Sequence, residues 1–226
     1  VNALSSTFVI EAFRERDIMP DMVQIGNEVN HGMLWPEGKL GGDSPEEKLR
    51  QWDRFACLVK AGIRGVRNAS GDMSVPIMMH AASGGNISGT KWFYDNLLKR
   101  KVEFDVIGQS YYPWWHGTFE DLKSNLDFMT DRYNKDIIIV ETAYFWKGNY
   151  ATKGTYKDQQ PYPCTKEGQF EFLSELYDII TGYKQVKGVF YWYPESIKCE
   201  DANLPYRYRS LFRENGSPLP GLGAFR

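Results

Sequence analysis

Phe104-Asp105-Val106-Ile107-Gly108 and Ile137-Ile138-Ile139-Val140 are two apolar runs of strand length, and the segment between them decides the fold class. Several such runs in the chain are β-branched and apolar on both faces, as buried parallel strands are. Between them, Thr118 and Asp121 stand as an N-cap and its third helical residue, and Phe119, Leu122, Leu126, Met129 and Tyr133 follow at three- and four-residue steps. Strand, amphipathic helix and strand make a unit whose two strands lie parallel.

The same alternation extends outward. Met22-Val23-Gln24-Ile25-Gly26 and Val75-Pro76-Ile77-Met78-Met79 precede this unit, and Gly188-Val189-Phe190-Tyr191-Trp192 follows it. Ser44-Pro45-Glu46-Glu47 offers an N-cap, a proline at the first helical position and a capping-box glutamate. Leu49, Trp52, Ala56, Val59, Ile63 and Val66 continue it as one apolar stripe, and Cys57 in the same helix reads as packing. Further helices are expected from about Thr165 through Phe170, Leu173, Leu176 and Ile180, from near Thr90, and over roughly Ser6 to Arg16. No linker or change of composition interrupts the pattern, so residues 1–226 read as a single α/β domain. Alternation alone leaves a doubly wound sheet and a (β/α)8 barrel both open. No glycine-rich phosphate loop follows any strand, which weighs against a nucleotide-binding sheet.

Composition narrows the function. Among 226 residues, 27 are basic and 29 acidic, a formal charge of −2, which argues against a nucleic-acid binder with its basic face. No apolar run approaches the roughly 18–20 residues of a membrane span. Three cysteines are too few for a disulfide framework or a zinc motif; Cys164 and Cys199 could pair, though spacing does not fix proximity. The opening Val1-Asn2-Ala3 reads as a processed or truncated chain. Aromatic residues reach 15%, enough that some aromatic area is expected to face a ligand.

The chemistry gathers at strand ends. Glu28 closes Gln24-Ile25-Gly26-Asn27-Glu28, and Glu141 closes Ile138-Ile139-Val140-Glu141. In parallel α/β folds the C-terminal strand ends carry the active site. A lone glutamate there reads as a buried carboxylate paired with an arginine or a backbone N–H. Two at equivalent places, among amides and aromatics, point to catalysis. His80 follows the second run, Ser110-Tyr111-Tyr112-Pro113-Trp114-Trp115-His116 the third, and Trp192-Tyr193 ends the fifth. Each of these alone reads as a core residue. Together they suit a sugar, whose flat CH faces stack on Trp and Tyr while its hydroxyls seek amides and carboxylates. Paired glutamates without a metal motif are the usual machinery of glycoside hydrolysis, and no HExxH or comparable spacing accompanies the 3 histidines.

Asp21-Met22-Val23-Gln24-Ile25-Gly26-Asn27-Glu28, followed by Gly32-Met33-Leu34-Trp35-Pro36-Glu37-Gly38, closely resembles the signature of glycoside hydrolase family 53, the endo-β-1,4-galactanases. Ser110-Tyr111-Tyr112-Pro113 with Trp115-His116-Gly117, Glu141-Thr142-Ala143-Tyr144, and the stretches Gly188 to Trp192 and Phe212 to Pro220 are similar too. The resemblance implies a retaining (β/α)8 TIM barrel, with this chain supplying about strands four to eight. It implies cleavage of β-1,4-galactan or type I arabinogalactan, with Glu28 as acid/base and Glu141 as nucleophile. Asn27 would bind the sugar 2-hydroxyl, Tyr112 or Tyr111 would orient the nucleophile, and Trp192 would lie beneath the reacting sugar. His80, Trp115 and His116 would line neighbouring subsites. A secreted, periplasmic or cell-surface location is implied as well.

Three departures accompany this likeness. Strands one to three are missing, so a separate chain or fragment is expected to supply them. Tyr193-Pro194 stands where many members have Glu-Pro. Lys147 to Lys157 contains no Asp, Glu or His, so no metal is expected there, although some bacterial members bind calcium, and no cofactor is expected elsewhere. Two other readings stay open: a relative acting on another β-1,4 polysaccharide such as mannan, and a non-catalytic sugar-binding remnant.

Overall fold

The computed structural model describes residues 2–148, 160–197 and 207–225. Its helices are α1 (Asn2–Arg14), α2 (Pro45–Ala69), α3 (Ile87–Lys99), α4 (Pro113–His116), α5 (Phe119–Tyr133) and α6 (Lys166–Thr181). Its strands are β1 (Val23–Gln24), β2 (Gly32–Met33), β3 (Gly38–Lys39), β4 (Ile77–Ala81), β5 (Val106–Ser110), β6 (Asp136–Thr142) and β7 (Val186–Tyr191). One five-stranded sheet has the order β1-β4-β5-β6-β7, and the pairs β1–β4 and β6–β7 are parallel. The α/β alternation expected from the sequence is thus present. The chain divides into two compact units, one of Val1–Ala82 with Ser88–Gly108, the other of Ser83–Ile87 with Gln109–Arg226.

In the first unit, Ser44 Oγ accepts the Glu47 N–H at 3.1 Å and Pro45 fills the first turn of α2. Only half of the expected capping box forms, because the Glu47 carboxylate turns to Arg50 (2.8 Å) and Arg54 (3.1 Å). Trp52, Ala56, Val59, Ile63 and Val66 are buried as their spacing demands, whereas Leu49 faces solvent. Cys57 is exposed, not packed: it follows Ala56 around the helix and leaves the buried stripe. β4 begins at Ile77, two residues later than its apolar run, because Pro76 has no N–H for the ladder. The Ile77 N–H is then taken by Asp105 Oδ2 at 2.8 Å.

In the second unit, the reciprocal box of α5 is complete: Asp121 N–H donates to Thr118 Oγ1 (3.2 Å), and Thr118 N–H to Asp121 Oδ2 (2.7 Å). Phe119, Leu122, Leu126, Met129 and Tyr133 are all buried. In α6 the stripe runs through Phe172, Leu173, Leu176 and Ile180, with Phe172 taking the place expected of Phe170. Phe172 stacks on Tyr144 at 4.3 Å between centroids, and the Tyr111 ring lies parallel to it at 6.5 Å. Cys164 carries a free thiol that donates to Gln160 Oε1 at 3.1 Å, while Cys199 and nearly all of Lys147 to Lys157 lie outside the described residues.

Candidate active site

In the first unit, β1 stops at Gln24 because the backbone turns at Gly26, where φ is +77°. A Cβ there would meet Val29 Cγ1 at 2.5 Å, so this turn requires glycine. The turn carries Asn27 and Glu28 past the strand end. Glu28 sits in the left-handed region (φ 46°, ψ 48°), a conformation costing a non-glycine residue on the order of 1–3 kcal/mol. Two contacts hold this segment to the end of β4. Asn30 Oδ1 accepts the Ala82 N–H at 3.0 Å, and His80 Nδ1 lies 3.3 Å from the Glu28 N–H and 3.1 Å from Asn27 Oδ1. With its proton elsewhere, Nδ1 accepts from Glu28; with the proton on it, Nδ1 donates to Asn27. Gln24 Nε2 also donates to Asn27 Oδ1, at 3.2 Å. Asn27, Glu28 and His80 thereby form one cluster, with His80 fully buried beneath it.

In the second unit, Glu141 is the penultimate residue of β6, inside the strand and half-buried. Tyr111 N–H donates to Glu141 O at 2.8 Å, which fixes the start of the next segment, and Tyr112 reaches back to the carboxylate. The Tyr112 hydroxyl donates to Glu141 Oε2 at 2.9 Å, a contact that favours the charged carboxylate. Tyr111 points elsewhere: its hydroxyl donates to Gly117 O at 3.1 Å, and burial holds its phenol well above the usual range. His116 Nδ1 accepts the Tyr112 N–H at 3.0 Å, closing the short helix α4. Desolvation lowers the His116 pKa to about 4, so the ring is a neutral acceptor near pH 7. Trp115, on the same turn, is 48% exposed. At the end of β7, the backbone N–H of Trp192 donates to Thr142 O at 2.8 Å, and the Trp192 indole lies beside the Tyr193 phenol ring at 4.7 Å between centroids.

Sequence reasoning missed Arg209. Its guanidinium carbon lies 5.9 Å from the Tyr112 ring, 4.8 Å from Trp114, 4.8 Å from Phe145 and 5.7 Å from Trp192. No spacing rule links an arginine late in the chain to aromatics after β5, β6 and β7. Chemically, the first unit offers the Glu28 carboxyl group beside an amide and an imidazole. The second offers a carboxylate held by a phenol, with aromatic platforms nearby.

A family model described as glycosyl hydrolase family 53 matches residues 6–225. An uncharacterised protein of Niallia circulans is 40% identical over 204 residues, covering 85% of this chain and 54% of its own length. An arabinogalactan endo-beta-1,4-galactanase of Thermothelomyces thermophilus is 29% identical over 215 residues, covering 92% of this chain and 62% of its own. The solved GH53 catalytic domain of Ignisphaera aggregans superposes with a TM-score of 0.81 at 30% identity, over 99% of this chain and 65% of that one. This chain therefore spans between half and two thirds of those proteins. It is a five-stranded parallel portion of a (β/α)8 barrel, as expected.

Proposed function

This chain belongs to glycosyl hydrolase family 53, and from that premise we propose that its protein is a retaining endo-β-1,4-galactanase. Glu141 attacks the anomeric carbon while Glu28 protonates the leaving oxygen. Glu28 then activates a water, which releases the sugar from Glu141 with its β configuration kept. The observation that carries this reading is the 2.9 Å bond from the Tyr112 hydroxyl to Glu141 Oε2, since a nucleophile must be the anion. The buried Tyr111 hydroxyl, spent on Gly117, supports Tyr112 as the orienting residue. In this scheme Asn27 binds the 2-hydroxyl of the sugar under attack, and Trp192 lies under that sugar. His80, Trp115 and His116 line neighbouring subsites.

The substrate follows from its shape. An axial 4-hydroxyl makes a β-1,4-galactan chain curl, so its groove needs aromatic platforms set at an angle. Trp115 and Trp192, from different strand ends, supply two. A polymer of this size does not cross a membrane intact, so the enzyme works secreted, in a periplasm or at a cell surface. Among the described residues no helix is long and apolar enough to cross a membrane.

Closure of the barrel needs three further strands, which we assign to another segment or chain of the same enzyme. Phe8, at 73% exposed, Val9 and Phe13 on α1, and Phe190, at 58% exposed on β7, are the side chains such a segment would cover. The partial span relative to its relatives favours one second reading, a sugar-binding remnant without turnover. Reducing-sugar release on galactan, mannan, xylan and cellulose decides among these. Galactan alone should be cut, and Glu141→Gln should abolish the cutting. Cleavage of mannan instead, or binding without turnover, would overturn the proposal.

A further inference from the structure

The Arg209 guanidinium stands among four aromatic rings that come from three consecutive strand ends. Tyr112 and Trp114 follow β5, Phe145 follows β6, and Trp192 follows β7, all with centroids 4.8–5.9 Å from the guanidinium carbon. A cation within about 6 Å of a ring centroid is drawn to the ring face, and arginine's plane also stacks on it. The rings touch one another as well: Tyr112 to Trp114 at 5.4 Å and Trp114 to Phe145 at 5.0 Å. Arg209 is itself pinned through its backbone. Its carbonyl accepts from the Tyr191 hydroxyl, and the flanking carbonyls accept from the Trp146 N–H (2.9 Å, to Tyr208 O) and from Gln169 Nε2 (3.0 Å, to Ser210 O). A fixed backbone on one side and four rings on the other leave the guanidinium little freedom.

Two of those four rings matter to the chemistry. Tyr112 carries the phenol that donates to Glu141, and Trp192 carries the proposed sugar platform. We propose that Arg209 is a positioning residue: it sets the Tyr112 and Trp192 rings in place together, coupling the nucleophile's orientation to the sugar-binding surface. Its functional consequence rests on the galactanase reading above; its structural consequence does not. Lysine is a poor substitute, because an ammonium is a point charge without a plane to stack on several rings.

The test uses Arg209→Met, Arg209→Lys and Tyr112→Phe in the natural protein that carries this chain. Arg209→Met should lower kcat about tenfold or more and also raise KM, because both rings lose their seat; Arg209→Lys should recover only part. In the Tyr112→Phe background, Arg209→Met should cost little further kcat while still raising KM. Fully additive losses in kcat would overturn the proposal, as would wild-type kinetics in Arg209→Met. A crystal structure of the variant gives a second, turnover-free answer. The Tyr112 hydroxyl should leave hydrogen-bond distance of Glu141, and unmoved Tyr112 and Trp192 rings would overturn the proposal. Should Arg209→Met not fold, Arg209→Lys answers the same two questions. Full galactan turnover by Glu141→Gln would count against the functional reading alone, and the ring positions would still decide the role of Arg209.

Discussion

The Tyr112 hydroxyl donates to Glu141 Oε2 over 2.9 Å, joining the residue two past β5 to the penultimate residue of β6. Adjacent parallel strands make this possible, since the Tyr111 N–H to Glu141 O bond (2.8 Å) sets the register that brings the phenol back over the carboxylate. A hydrogen bond to a charged group contributes about 1.5–3 kcal/mol. Tyr112→Phe should therefore lower kcat on galactan by about 10- to 150-fold with little change in KM. Steady-state kinetics check this, and an unchanged kcat would remove Tyr112 from the catalytic set.

Trp115 stands on α4 with 48% of its surface open to solvent, more than packing needs. Aromatic contacts of this kind contribute about 0.5–1.5 kcal/mol, so Trp115→Ala should raise KM about 2- to 12-fold and shift the lengths of the galacto-oligosaccharides released. Chromatography of the products reads the shift. The same KM and product pattern as wild type would take Trp115 out of the groove.

His116 couples the site to pH through stability. Desolvation takes its pKa from 6.5 to about 4. Between those values the unfolded chain binds the proton that the folded one refuses, so stability falls as pH drops from about 6.5 to about 4 and then levels off. The gap corresponds to about 3 kcal/mol at full effect, and less here because the ring keeps some accessible surface. Urea unfolding at pH 7 and pH 4.5 should show a smaller acid loss in His116→Asn than in wild type. Equal losses in both would contradict this role.

The strand–helix alternation was legible because the longer strands each contain a short apolar stretch, as in Ile77 to Met79 and Ile137 to Val140, and the long helices α2, α5 and α6 carry a clear stripe. Boundaries moved where one residue's chemistry outweighed the pattern. Pro76 delays β4, and Gly26 with its positive φ ends β1 after two residues. The small hairpin of β2 and β3 left no signal, since two-residue strands have no periodicity. Of the candidate residues, Tyr112 and Tyr111 differ only in which side of the strand end they leave, which no spacing in the sequence distinguishes. Arg209 was illegible for another reason: its four partners are scattered along the chain and meet only after folding.

The free edges of the sheet bear on the intact protein. With Phe8, Phe13 and Phe190 exposed and β1 and β7 the edge strands of the described sheet, each paired on one side alone, residues 1–226 by themselves should bind a hydrophobic dye, lack a cooperative thermal transition and be inactive. Supplying a segment with the three remaining strands should restore both folding and activity. A sharp transition with full activity for 1–226 alone would contradict the closure proposal.

Retention through Glu141 and Glu28 is read in the anomeric form of the first product. Proton NMR of galacto-oligosaccharide cleavage, followed from the first minutes, should show β reducing ends appearing before mutarotation produces the α form. Initial appearance of the α anomer would mean inversion and would contradict the assignment of Glu141 as nucleophile.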